Sequence, residues 1–166
     1  CGLTLPNTVE GTEEGIHPMT CVIFAEDSPG VRRVIETVLS GTKIAEATVA
    51  CENGMEFISK MTEFLKDKKR IDLAILDVQM PVLSGIQAAL TVREIEKKFA
   101  AQRPTPILFF TAKMIDEKFK AVLDKCRPSA YLNKGTDASP RELGRRIYTV
   151  VRRLMADQAL QLELNR

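Results

Sequence analysis

Five short apolar runs alternate with five amphipathic stretches along this chain, and that alternation constrains the fold more than any other feature. Cys21-Val22-Ile23-Phe24-Ala25 is continuous, apolar and ends at Glu26-Asp27-Ser28-Pro29-Gly30. A run of this kind stopped by turn residues reads as a strand buried on both faces. Similar runs follow at Ala47–Cys51, at Ile71–Leu76 running into Asp77, at Ile107–Phe110 ending at Thr111, and at Ala130–Leu132 ending at Lys134. Between them lie helical stripes: Val31, Val34, Ile35, Val38 and Leu39, closed by Gly41; then Met55, Ile58, Met61 and Leu65; then Ile86, Leu90, Val92 and Ile95 within about 84–100; then a fourth helix near 115–126. Asn53-Gly54 reads as a tight turn, and Lys66–Arg70 as a basic run at a helix C-terminus. Ser139-Pro140-Arg141-Glu142 has the form of a capping box with proline at the first helical position, opening a last helix that reaches about Leu164. Short strands joined by helical crossovers predict an α/β fold, a doubly wound five-stranded parallel sheet with helices on both faces.

Composition narrows the function. The chain has 166 residues, 45% hydrophobic and 28% charged, the profile of a globular domain. No apolar run reaches the roughly 18 residues a membrane span needs, so no membrane partner is expected. A net charge of +2, no tryptophan and 5% aromatics argue against nucleic acid. The arginines of the last helix (Arg141, Arg145, Arg146, Arg152 and Arg153) read as a solvated face. The four cysteines match no zinc spacing. Cys21 and Cys51 lie in apolar stretches as buried thiols, which fits a reducing, cytoplasmic setting. His17 is the only histidine, which excludes chemistry needing a histidine pair.

Ligands of such sheets bind beyond the carboxyl ends of the strands. Glu26 and Asp27 end the first strand, Asp77 the third, Thr111 the fourth and Lys134 the fifth. Three carboxylates held together repel, and a divalent cation relieves this; an all-oxygen site suits Mg²⁺. Lys134 can neutralise one phosphoryl oxygen and Thr111 can donate to another, leaving the Asp77 carboxylate to act as nucleophile and form an acyl phosphate.

These residues, with Asp77-Val78-Gln79-Met80-Pro81 and Gly85, Thr111-Ala112, and Tyr131-Leu132-Asn133-Lys134, resemble the response-regulator receiver domain of two-component signalling over about residues 19–154. The resemblance implies the flavodoxin-like strand order 2-1-3-4-5. It implies phosphorylation of Asp77 by a histidine kinase or histidine phosphotransfer protein. Mg²⁺ is then held by Asp27, Asp77 and the backbone carbonyl of Gln79, with Glu26 acting mainly through a metal-bound water. Lys134 holds the phosphoryl oxygen. Thr111 is the switch hydroxyl, and Tyr131 is the aromatic that turns with it, remodelling the face of helix four, strand five and helix five. The expected role is that of a phospho-acceptor rather than an enzyme, beyond self-catalysed phosphotransfer and dephosphorylation. Departures are Gly135 where the family often has proline, Glu26 where aspartate is commoner, and Gln79 and Lys113 at positions that tune hydrolysis.

Two other classes are weighed. An aspartate-nucleophile phosphatase needs a second acid two residues after the nucleophile, where Gln79 stands. An adaptor could keep the receiver fold without being phosphorylated. Residues 1–18 read as a loosely ordered leader and 155–166 as an extension of the last helix. Tyr148, Met155 and Leu162 recur at seven-residue spacing with Val151 and Ala159 nearby. That stripe fits pairing with a second copy or a link to an output domain, and equally a plain helical tail. The start at Cys1 and a helix still running at Arg166 favour a part of a longer protein.

Overall fold

The structure, a computed structural model, describes residues 18–41, 43–135 and 139–164. The expected leader therefore lies outside the described residues except for Pro18. In chain order the elements are β1 (Met19–Ala25), α1 (Pro29–Gly41), β2 (Ala45–Cys51), α2 (Gly54–Lys66), β3 (Leu73–Asp77), α3 (Gly85–Lys98), β4 (Ile107–Thr111), α4 (Glu117–Lys125), β5 (Ser129–Asn133) and α5 (Pro140–Leu164). The strands form one parallel sheet in the order β2-β1-β3-β4-β5, as the resemblance implies.

The continuous apolar runs have a simple cause. In the central strands successive side chains enter opposite cores, so no position is left for a polar residue. Val22 and Phe24 of β1, Leu73 and Ile75 of β3, and Leu108 and Phe110 of β4 join Ile35, Val38 and Leu39 of α1 and Leu143, Ile147, Val151 and Leu154 of α5. Ile23 and Ala25, Ala74 and Leu76, and Ile107 and Phe109 point the other way, against Phe57 and Met61 of α2, Ala88, Ala89 and Val92 of α3, and Phe119 of α4. Both faces of the sheet are covered, and the strand ends are left as a rim.

Several local expectations change. Asn53-Gly54 is a helix start rather than a tight turn: Asn53 is the N-cap of α2, its side chain accepting from the Glu56 N–H at 2.9 Å. The α2 stripe is centred on Phe57 and Met61, while Met55 is exposed. The α3 stripe also turns. Ala88, Ala89 and Val92 face the sheet, Leu90 is exposed, and the buried face continues through Arg93 and Glu96. Small residues let α3 lie close to the sheet, and the charges are buried because they are paired. Arg93 Nη1 donates to Glu96 Oε2 at 2.7 Å, and its Nη2 donates to the carbonyls of Thr105 and Cys126 at 2.8 and 2.6 Å. Glu96 Oε1 accepts from the Thr105 N–H at 2.6 Å. This clamp ties the end of α3 to the start of β4 and the end of α4.

Cys21, Cys51 and Cys126 are buried and unpaired by disulfides, and burial pushes the Cys51 thiol up to about 12. Along α5, Tyr148, Val151 and Met155 pack on the domain's own core, whereas Leu160 and Leu164 are exposed. The first members of the seven-residue stripe are thus occupied within the domain; the side chain of Leu162 lies outside the described residues.

Candidate functional site

The rim gathers what the strand ends carry. Glu26 is 1% exposed, Asp77 3% and Thr111 2%, while Asp27 is exposed. One carboxylate oxygen from each of Glu26, Asp27 and Asp77 lies within 4.8 Å of the others. Three hard oxygen donors at this separation fit a Mg²⁺ ion that keeps several waters, and among the described residues no nitrogen or sulfur ligand joins them.

Backbone geometry aims these groups. Glu26 follows the last residue of β1, its own N–H donating to the Cys51 carbonyl at 3.2 Å and its Oε1 accepting from the Ser28 N–H at 3.1 Å. Arg32, one turn into α1, donates to the Glu26 carbonyl at 2.8 Å and pairs with Glu52 at 3.2 Å. Asp77 Oδ1 accepts from the Gln79 N–H at 3.2 Å. Behind it Gly85 packs so close that a Cβ there would lie 2.1 Å from the Asp77 carbonyl oxygen. Gly54 is equally constrained, since its Cβ would lie 2.6 Å from the Leu83 carbonyl oxygen. These two glycines let the connection from β3 to α3 close down beside Asp77.

Lys134 completes the cluster. Its Nζ donates to Glu26 Oε2 at 2.8 Å and lies 3.3 Å from Asp77 Oδ1. Burial raises the carboxyls of Glu26 and Asp77 above their ordinary range, even though Lys134 pulls both the other way. For Lys134 burial alone would lower the value, but its bond and ion pair with Glu26, and then Asp77, outweigh it and hold the ammonium above its ordinary value. The site is thus a strained balance of negative charge with one cation, ready to accept more positive charge.

Thr111 ends β4, and Tyr131 lies on the neighbouring strand β5. The Thr111 hydroxyl oxygen accepts from the Lys113 N–H at 3.0 Å. A cavity of about 210 Å³ adjoins Thr111, lined by Val78, Ile86, Ile115, Phe119 and others. Tyr131 is 44% exposed, its ring edge-on to Phe119 with centroids 6.4 Å apart. Gly135, following Lys134, has φ +65, a left-handed conformation that glycine adopts without steric cost. Sequence reasoning did not find Arg32, or the constraint at Gly54. Both act through contacts whose partners are known only once the helices are placed.

The chain matches the response regulator receiver domain family over residues 22–147. It is 31% identical over 120 residues to a protein-glutamate methylesterase/protein-glutamine glutaminase of Haloarcula marismortui, covering 70% of this chain and 29% of that protein. It is 31% identical over 154 residues to hybrid signal transduction histidine kinase D of Dictyostelium discoideum, covering 93% of this chain and 9% of that protein. An osmolarity two-component system protein of Saccharomyces cerevisiae is 32% identical over 94 residues, covering 57% of this chain and 12% of that protein. The chain therefore spans less than a third of the length of these relatives. Among solved structures, the receiver domain of an Arabidopsis thaliana histidine kinase complexed with Mg²⁺ and BeF₃⁻ superposes with a TM-score of 0.69 at 21% identity, covering 82% of this chain and 90% of that one. At that identity the likeness speaks to the fold.

Proposed function

Because the chain belongs to the response regulator receiver domain family of two-component signalling, we propose that it is a phosphorylation-dependent switch that accepts a phosphoryl group on Asp77. The donor is a histidine kinase or histidine phosphotransfer protein. The observation that carries this reading is the position of Lys134, whose ammonium reaches Glu26 and Asp77 together.

In the transfer, an Asp77 carboxylate oxygen bonds to phosphorus while the P–N bond to the donor imidazole breaks, the electron pair leaving with that nitrogen. Asp77 is the nucleophile. Lys134 holds a phosphoryl oxygen, exchanging part of its contact with Glu26 for the new charge. Thr111 donates its hydroxyl to another oxygen. Glu26, Asp27, Asp77 and the Gln79 carbonyl are the groups that would hold Mg²⁺, and the ion, when bound, would offset the negative charge of the acids and the phosphoryl oxygens. The phosphoryl group adds roughly −1.5 to −2 charges at neutral pH. Thr111 moves toward it, the cavity beside it changes, and Tyr131 leaves its exposed position on Phe119 to turn inward. The face of α4, β5 and α5 is then remodelled. The switch works in the cytoplasm; among the described residues no helix is long and apolar enough to cross a membrane.

The test is direct. With Mg²⁺ and acetyl phosphate the protein should be modified on Asp77, and Asp77→Asn should abolish it. In a Tyr148→Phe background, Tyr131 fluorescence should change on adding beryllofluoride with Mg²⁺. Turnover of unrelated phosphate esters would support a phosphatase instead, and the absence of any modification would leave an adaptor.

A further inference from the structure

Asn133, the last residue of β5, sits between the two loops on which phosphoryl acceptance depends. Its side-chain Oδ1 accepts from the Gly135 N–H at 2.8 Å, and its Nδ2 donates to the Lys113 carbonyl at 3.3 Å. The orientation of this carboxamide is fixed by its partners, because a backbone N–H needs the oxygen and a carbonyl needs the nitrogen. The Lys113 N–H in turn donates to the Thr111 hydroxyl oxygen at 3.0 Å. One side chain thus links the loop that presents Thr111 to the loop that presents Lys134.

The backbone around Lys134 is held from two further directions. Its N–H donates to the Thr111 carbonyl at 2.7 Å, continuing the β4–β5 pairing by one residue. Arg146, on α5, donates from Nη1 to the Lys134 carbonyl at 3.4 Å and from Nη2 to the Asn133 carbonyl. Gly135 then turns with φ +65, and the Asn133 oxygen closes that turn.

We propose that Asn133 is a positioning residue for phosphoryl acceptance: its carboxamide braces the loop after Thr111 against the turn after Lys134, so that the Thr111 hydroxyl and the Lys134 ammonium meet one phosphoryl group, and Arg146 anchors the same segment to α5. The inference rests on the proposed acceptance at Asp77. Asn133 touches neither the three carboxylates nor Lys134's ammonium, so it acts on geometry and leaves the metal-binding acids alone. Asn133→Asp keeps an acceptor for the Gly135 N–H but cannot donate to the Lys113 carbonyl. Asn133→Ala loses both bonds.

The experiment follows phosphorylation of the full chain by acetyl phosphate with phosphate-affinity electrophoresis, separating the maximal rate from the half-saturating concentration, and measures the Mg²⁺ dissociation constant of each variant. Asn133→Ala should lower the maximal rate about tenfold and Asn133→Asp about threefold, each with Mg²⁺ affinity within twofold of wild type. Wild-type rates in both variants overturn the proposal, as does a parallel loss of Mg²⁺ affinity, which marks general loosening of the fold. Failure of wild-type protein to be modified on Asp77 overturns the underlying functional reading instead. If Asn133→Ala does not fold, amide exchange in the wild type decides: the Gly135 N–H should exchange at least tenfold more slowly than an unstructured amide, and exchange at the unstructured rate overturns the proposal.

Discussion

Lys134 Nζ reaches Asp77 Oδ1 at 3.3 Å from two strands away, passing over the ring of Phe110 with 5.2 Å to the ring centroid. Phe110 belongs to β4, the strand between them, so its face shapes the path of the lysine stem and keeps water from one side of the ammonium. The same ammonium is bound to Glu26. One cation therefore serves two buried acids, and the negative charge of the rim stays in excess.

That excess predicts a pH-dependent cost. Burial raises the carboxyls of Glu26 and Asp77, so the folded chain binds these protons more tightly than the unfolded one. The contribution to stability is fully present below the ordinary carboxylate value, and it is lost as pH rises through the raised value. Lys134 is also raised, but its loss lies above neutrality and leaves this window untouched. In EDTA at pH 7, Asp77→Asn should be more stable than wild type, by on the order of 1 kcal/mol in urea melts. The gap should close below about pH 4. An equal or less stable Asp77→Asn protein at pH 7 would contradict the charge balance described.

The strands and the acceptor rim were legible in the sequence for a physical reason. A strand buried on both faces has no room for polar residues, so in β1, β3 and β4 the first polar residue after the apolar run (Glu26, Asp77 and Thr111) marks the strand end and the rim. The edge strands β2 and β5 are only partly buried, and after β5 Asn133 precedes Lys134. Helix faces were less legible. Arg93 and Glu96 look like solvent-facing charges, and only their pairing with each other and with Thr105 and Cys126 makes their burial tolerable. Asn53 was misread because a cap and a tight turn draw on the same residues. Asn133 was visible as part of a motif, but its bonds to Lys113 and Gly135 depend on loop geometry that no spacing rule encodes.

Two glycine substitutions should separate by sign. Gly85→Ala would place a Cβ 2.1 Å from the Asp77 carbonyl oxygen, an overlap with backbone that no rotamer relieves. It should cost about 1–3 kcal/mol, the range for overpacking, and slow acetyl phosphate modification by displacing Asp77. Gly30→Ala, early in α1, meets nothing within 4 Å and should stabilise by about 0.5–1 kcal/mol through helix propensity. Thermal melts of the two variants check both signs, and a harmless Gly85→Ala would mean that the loop after β3 is looser than described.

The buried Arg93–Glu96 pair makes the last prediction, because its members fail differently. The two side chains are 10% and 5% exposed. Arg93→Met leaves Glu96 buried without its cation and takes the side-chain donors away from the Thr105 and Cys126 carbonyls, so it should cost roughly 3–5 kcal/mol. Glu96→Gln can keep an oxygen acceptor for the Thr105 N–H, and Arg93 retains two carbonyl partners, so it should cost less, about 1–3 kcal/mol. The double variant should be less damaging than the sum, with a coupling of about 0.5–3 kcal/mol. Thr105 lies just before the start of β4, at the opposite end of the strand from Thr111, so folded variants should still be modified on Asp77 at nearly the wild-type rate. Urea melts at pH 7 give the three stabilities, and additive costs would show that the two side chains are not a coupled clamp.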